Sequence, residues 1–217
     1  MLSFCRPAIP PRTKNADKNL IFYENGKSSV HFHAPDSGYI MTHTIPPTTP
    51  EDGASIIQPP FHYHISQNEY FRLQSGTGVF FKGIDPKPFA KLSDQPGAPK
   101  TASVPAGRYH RFENASTDEN LVVDIQLDPE AYENEQRFFR NFFGYLDDCK
   151  RTKTNPSLFQ LMVFLHSADT PLALPLPNEW VGIWVSRVFM ILVAYWGKWM
   201  LGYKDNYVEY YEEGKSK

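Results

Sequence analysis

The pattern of hydrophobic and polar positions changes period once along the chain. Up to Leu127 the apolar residues fall into short runs broken by Gly, Pro and small polar clusters. The runs are Ser29–His33, Tyr39–Ile45, Glu69–Leu73, Val79–Lys82, Phe89–Leu92, Thr101–Val104, Tyr109–Phe112 and Leu121–Leu127. Their length and punctuation predict β-strands. Pro35-Asp36-Ser37-Gly38 predicts a turn between the first two, and Gly76-Thr77-Gly78 predicts a hairpin between the third and fourth. Many short strands with regular turns predict a mainly β fold, a sandwich or barrel over residues 28–128, behind an N-terminal arm of residues 1–27.

Beyond Leu127 the spacing becomes helical. Asp128-Pro129 reads as an N-cap with Pro at the first helical position. Tyr132, Phe139, Phe142, Phe143 and Leu146 then predict an amphipathic helix over 129–148. Asn155-Pro156 opens a second helix through Leu158, Leu161, Met162 and Leu165. The prolines of Thr170–Asn178 mark a linker, and an apolar helix is expected over about 179–203. Residues 129–217 therefore read as an α-helical C-terminal extension.

Composition narrows the function classes. The 217 residues carry 22 Lys+Arg against 24 Asp+Glu, a net charge of -2, which argues against a nucleic-acid partner. Two cysteines, Cys5 and Cys149, exclude a disulfide scaffold, whereas seven histidines leave a histidine metal site open. No apolar segment near the N-terminus suits a secretory signal, so the expectation is a cytoplasmic protein with two free thiols. The sequon Asn114-Ala115-Ser116 carries little weight in that setting.

The chemistry concentrates in two stretches. In Phe61-His62-Tyr63-His64-Ile65-Ser66-Gln67-Asn68-Glu69, strand geometry puts His62 and His64 on one face. A turn at Ser66-Gln67-Asn68 would return Glu69 to that interior on the next antiparallel strand. In Pro105-Ala106-Gly107-Arg108-Tyr109-His110, the Pro-x-Gly turn launches a strand whose early residue is His110. Three imidazoles and a carboxylate suit a first-row divalent metal with positions left for substrate or water.

His62-x-His64-(x)4-Glu69-(x)6-Gly76 resembles the first motif of the cupin superfamily, and Pro105-x-Gly107-(x)2-His110-(x)3-Asn114 resembles the second. The Gly that often opens each motif is replaced by Ile57 and Pro99. The resemblance spans about residues 28–128. It implies a cupin-type double-stranded β-helix, or jelly-roll barrel, with His62, His64, Glu69 and His110 as metal ligands. Glu135 to Cys149, followed by the Trp-rich segment, is similar to small fungal cupin proteins of secondary-metabolite pathways.

Other residues receive ordinary roles. His31 and His33 read as a half-exposed strand pair, and His43 likewise. His166 reads as packing or capping in the second helix. Arg72 has the parity of Tyr70, opposite Glu69, and is expected in solvent; Arg108 is expected at the surface. The carboxylates of Asp147 and Asp148 are expected to raise the Cys149 thiol pKa. Phe61, Tyr63, Phe80 and Phe112 are candidate pocket walls, for which packing is an equal explanation. In the segment Trp180–Tyr203, Arg187 and Lys198 lie about 20° apart around a helix. With Ala194 they define one polar stripe, which suits a helix buried over most of its surface. Its partner would be the barrel, a second copy in a homodimer, or a membrane interface.

The expected function is a metal-dependent enzyme acting on an apolar or aromatic small molecule by oxygenation, isomerisation or cyclisation. The cofactor is a divalent ion, with Fe, Mn, Ni and Zn not distinguished by ligand type. The rival reading is a non-catalytic ligand-binding protein or one tethered to a membrane through residues 179–203.

Overall fold

The computed structural model describes residues 6, 9–85 and 87–214, so Cys5 lies outside the described residues. The chain forms two compact units. One is Asn19–Tyr132; the other combines the described residues of 1–18 with those of 133–217.

The first unit is built from nine strands: β1 (Leu20–Tyr23), β2 (Ser28–Phe32), β3 (Met41–Ile45), β4 (Asn68–Ser75), β5 (Thr77–Lys82), β6 (Ala90–Ser93), β7 (Thr101–Val104), β8 (His110–Asn114) and β9 (Leu121–Asp128). They form a six-stranded sheet in the order β1-β2-β3-β9-β4-β7 and a three-stranded sheet in the order β6-β5-β8. The named pairings are antiparallel. Alternation decides which side faces inward. On β4, Glu69, Phe71 and Leu73 are buried while Tyr70 and Arg72 are exposed. On β8, His110, Phe112 and Asn114 are buried. The Phe71 ring lies 4.9 Å from that of Phe80 on β5 and 5.2 Å from that of Phe112 on β8, so the two sheets share one apolar core. This is the cupin-type jelly roll that the motifs imply.

Three local expectations are corrected. The segments around Gly76 do not form a hairpin: β4 pairs with β7 and β9, and β5 pairs with β6 and β8. Gly76 is instead the corner at which the chain passes from one sheet to the other. It has φ 83°, and a Cβ there would lie 2.3 Å from the Asn120 carbonyl oxygen. Asp128 does not cap a helix; it is the last residue of β9, paired with Asn68. The strands expected from the sequence also omitted β1. Its apolar run Leu20-Ile21-Phe22-Tyr23 alternates exposed and buried and adds an edge to β2.

In the second unit, α1 (Tyr132–Arg151) carries Glu133 and Glu135 in its first turn and Lys150 and Arg151 in its last, complementing the helix dipole. Its start is three residues later than the period suggests. α2 (Leu158–Ser167) and α3 (Glu179–Tyr195) follow, and α3 continues into a π-helical turn, Trp196–Met200. Asn178 caps α3 by accepting from the Val181 N–H. Residues 204–214 are not a solvated tail: Tyr207, Tyr210 and Tyr211 are buried. Tyr210 packs where Gly144 leaves room on α1, and its hydroxyl donates to Asp148 at 2.6 Å. Asp148 also accepts from the Thr13 N–H, the Thr13 hydroxyl and Arg151, which ties the N-terminal arm to α1.

Within this single chain α3 is buried on one face only. Gly182, Ser186, Met190 and Ala194 form its buried face, with Gly197 beyond them. Ala194 therefore belongs to the packed face, not to a polar stripe with Arg187 and Lys198, which are exposed. The chain's four tryptophans are all in this segment, at 74% (Trp180), 64% (Trp184), 50% (Trp196) and 65% (Trp199) exposure. Glu179–Met200 is long and apolar enough to cross a membrane by length and composition.

Candidate metal centre

His62 and His64 do not lie on a regular strand. They sit on an extended segment that docks onto β8 through a single bridge. The His62 N–H donates to the His110 carbonyl (3.1 Å), and the His110 N–H donates to the His62 carbonyl (2.8 Å). One step along, the Gly107 N–H donates to the His64 carbonyl at 2.8 Å. Gly107 has φ 73°, so the Pro-x-Gly turn of the second motif holds the first motif directly. Glu69 comes from β4, paired with Val104 and Leu127. The expectation that Glu69 sits on a strand antiparallel to the His62–His64 segment is corrected: the partner of that segment is His110.

The structure brings all four predicted ligands together. His62, His64, Glu69 and His110 are 7%, 3%, 4% and 2% exposed. Their candidate ligand atoms lie within 4.8 Å of one another. The His62 ring centroid is 4.3 Å from that of His110 and 5.2 Å from that of His64. Glu69 Oε2 is 2.6 Å from His110 Nε2 and 3.5 Å from His64 Nε2.

The hydrogen bonds behind the rings assign their tautomers. The Nδ1 of His62 lies 2.8 Å from the Pro60 carbonyl oxygen, and that of His110 lies 2.8 Å from the Arg108 carbonyl oxygen. A carbonyl can only accept, so both Nδ1 atoms carry protons and donate. In the neutral rings the Nε2 lone pairs then turn to the centre. His110 Nε2 and Glu69 Oε2, 2.6 Å apart, are at hydrogen-bond distance, which a shared proton satisfies. A further proton on this cluster is disfavoured at His62, where burial and the neighbouring imidazoles of His110 and His64 push the pKa down to about 3. Burial opposes ionisation of Glu69, but His110 and His64 outweigh it and hold the carboxyl well below the usual range. An ionised carboxylate beside inward-facing imidazole nitrogens is the donor set of a first-row divalent metal site, and the residues fit the group.

The candidate pocket residues divide. Phe80 and Phe112 are buried and stacked at 5.4 Å, forming with Phe71 an aromatic cluster on the interior side of the ligands. Tyr63 is buried against Tyr109, with rings 5.5 Å apart. Phe61 is half-buried beside Phe81, with the Arg111 guanidinium 5.0 Å from its ring. A fourth interior imidazole corrects the half-exposed reading of His43, for which lining the cavity is the less favoured alternative. His43 on β3 is buried, 6.4 Å from the Phe112 ring, and burial lowers its pKa to about 4, partly offset by the Glu69 charge. The signal was available in the alternation Met41-x-His43-x-Ile45, whose members all face inward.

Other expectations resolve away from the centre. His31 and His33 lie on the other face of β2 and its flank, with rings 4.6 Å apart. His33 Nε2 is 2.7 Å from the Thr42 hydroxyl, which donates to Asp124 at 2.6 Å. Arg72 is exposed but not idle: it donates twice to the buried Asp124, at 2.8 and 3.0 Å, and lies over the Tyr39 ring. Arg108 is exposed. His166 sits in the last turn of α2 with its ring 5.5 Å from that of Tyr195. The side-chain amide of Asn114 donates to the Ile45 and Glu119 carbonyls, so this buried sequon residue is a structural tie. The Cys149 thiol pKa is raised, chiefly by burial, with Asp148 a smaller contributor.

The chain is 32% identical to the "Probable oxidoreductase virH" of Hypocrea virens over 212 residues, covering 94% of this chain and 91% of the relative. It is 31% identical to the "Oxidoreductase iacF" of Pestalotiopsis fici over 186 residues, covering 82% and 87%. "Epoxidase atD" of Aspergillus terreus is 25% identical, covering 77% of this chain and 53% of its own. No protein-family model matches the chain. Among solved structures, KdgF from Halomonas sp. covers 55% of this chain and 95% of its own at 12% identity, with a TM-score of 0.37. The cupin domain of Schizosaccharomyces pombe Cnp3 covers 54% and 63% at 14% identity, with a TM-score of 0.32.

Proposed function

Because the chain belongs to the family of fungal oxidoreductases that includes virH and iacF, we propose that it is a metal-dependent oxidoreductase of secondary metabolism acting on an apolar or aromatic small molecule. The observation that carries the metal reading is the convergence of four buried donor atoms within 4.8 Å of one another, with the Nδ1 protons of His62 and His110 committed to backbone carbonyls. A bound first-row ion would polarise a substrate oxygen and, if redox-active, exchange electrons with dioxygen. His62, His64, Glu69 and His110 would hold it.

The chain's own residues set the conditions for that chemistry. The Pro60 and Arg108 carbonyls fix the ring orientation of His62 and His110, the role that outer hydrogen bonds play at metal sites. Phe71, Phe80 and Phe112 line the adjoining interior with aromatic surface and exclude water. His43 stays neutral at physiological pH in that interior, so it places one ring N–H and one acceptor nitrogen there without adding charge. Oxidation is favoured over isomerisation or cyclisation by the names of the relatives, among them an epoxidase.

The test is elemental analysis of the protein purified without chelators, followed by titration of the stripped protein with Fe(II), Mn(II), Ni(II) and Zn(II). The expected result is a stoichiometric first-row ion, lost in His64→Ala. A wild-type chain that contains no such ion and binds none of the four would overturn the proposal.

A further inference from the structure

The outer face of α3 is apolar, and among the described residues nothing covers it. Trp184, Val188, Leu192, Tyr195 and Trp199 recur at intervals of three and four residues and are all exposed, a continuous stripe along the helix. The opposite face, Gly182, Ser186, Met190, Ala194 and Gly197, is packed, and Met190 is its one large side chain among the described residues. A Cβ on Gly197 would lie 3.0 Å from the Phe159 carbonyl oxygen of α2. Apart from Met190, the large apolar groups of this helix are thus outside and the small ones inside.

We infer that this face docks on a lipid bilayer surface, with α3 lying in the plane of the interface. This inference is independent of the metal site. Three observations select lipid. First, aromatic rings sit toward both ends, Trp180 and Trp184 at one and Tyr195, Trp196 and Trp199 at the other, with the aliphatic Val188 and Leu192 between. Indole and phenol rings prefer the headgroup boundary. Second, the charges flanking the stripe are cationic. Arg187 and Lys198 are exposed at its edge, Lys198 with Asp205 as its ion-pair partner at 2.9 Å, and no acidic residue occurs between Trp180 and Met200. A second copy presenting the same face would meet Arg187 with no carboxylate from the stretch Trp180–Met200, whereas anionic headgroups supply the complement. Third, the helix has one protein-packed face and two cations along its length. That excludes burial in lipid on all sides and leaves an in-plane orientation, although Glu179–Met200 has the length to span.

The protein carries its own reporter, because all four tryptophans belong to this segment. The full chain is mixed with phosphatidylcholine vesicles, with and without a phosphatidylserine fraction, and followed by intrinsic tryptophan emission and co-sedimentation. The expected result is a shift of emission to shorter wavelength with sedimentation on the vesicles, stronger on the anionic ones. Trp184→Ser/Leu192→Ser alters exposed positions only and should bind vesicles at least tenfold more weakly with an unchanged circular dichroism spectrum. Wild-type protein that stays in the supernatant with unchanged emission would overturn the inference. So would a dimer that forms without lipid, whose emission is already at short wavelength and which the double substitution dissociates. In that case the occupant is a second copy. If the double variant misfolds, Arg187→Glu/Lys198→Glu provides the test: it should abolish the preference for anionic vesicles, and an unchanged preference refutes the charge argument.

Discussion

His62 and His110, 48 positions apart, exchange both backbone hydrogen bonds across a single bridge, and their imidazole centroids lie 4.3 Å apart. The two histidines are thus placed by the main chain. Their side chains are then oriented by carbonyls two residues upstream, Pro60 and Arg108. The candidate metal centre is a property of that pairing, with Glu69 brought to it by the sheet.

Metal should stabilise the fold by linkage. A hundredfold excess of free ion over its dissociation constant corresponds to about 2.7 kcal/mol. Chelation of the wild-type protein is expected to lower its melting temperature by several degrees, and re-addition of the ion to restore it. His110→Ala should show no difference between the chelated and metal-supplemented samples in the same thermal melt.

Gly76 and Gly107 both have positive φ, but their surroundings differ. A Cβ at Gly76 meets the Asn120 backbone, whereas at Gly107 it meets nothing within 4 Å. Gly107→Ala should cost about 1 kcal/mol, the conformational penalty alone. Gly76→Ala adds a backbone clash and should cost about 3 kcal/mol or prevent folding. Urea denaturation of the two variants measures the difference; equal losses would refute the corner role of Gly76.

Asp124 should make stability depend on acid. Burial pushes its pKa up, but hydrogen bonds from Thr42, Gln74 and Arg72 prevail and hold it below the ordinary value. A carboxyl depressed in the fold contributes stability above its unfolded pKa, about 3.9, and loses it as pH falls through the folded value. Asp124→Asn is expected to cost about 2 kcal/mol at neutral pH. The gap between wild type and variant should narrow below about pH 4. Denaturation midpoints measured across that range check both the size and the sign.

Cys149 should be inert in the folded chain. It is buried, and burial raises its thiol pKa, so little thiolate is present or accessible. In a Cys5→Ser background, Ellman's reagent is expected to label no thiol at mildly alkaline pH until denaturant is added. Rapid labelling of the native protein would show that the α1 C-terminus opens readily.

Much of this architecture is written locally. Thr101–Val104 and Leu121–Leu127 announce strands by alternation and punctuation, and the motif spacing names four candidate ligands whose donor atoms the fold brings together. The failures have a common cause. Gly76 signals a turn, but a turn residue does not say which strands pair across it. Asp128-Pro129 carries the local marks of a helix start, yet pairing with Asn68 keeps Asp128 in the sheet. His43 looked half-exposed because strand periodicity gives two faces without saying which one is covered.

The sequence by itself determined the periods, the turn residues and the donor atoms, since these depend on each residue's own side chain and its near neighbours. Only the tertiary structure decided that His62 pairs with His110, that the chain changes sheets at Gly76, and that Asp148 gathers Thr13, Arg151 and Tyr210. It also decided which side of α3 is packed. The helical period showed an apolar surface nearly all round, and a helix of that kind can bury any face. The small side chains of Gly182, Ser186, Ala194 and Gly197 permit close packing against protein, so they turned inward. The tryptophans, too large for that contact, were left on the outside.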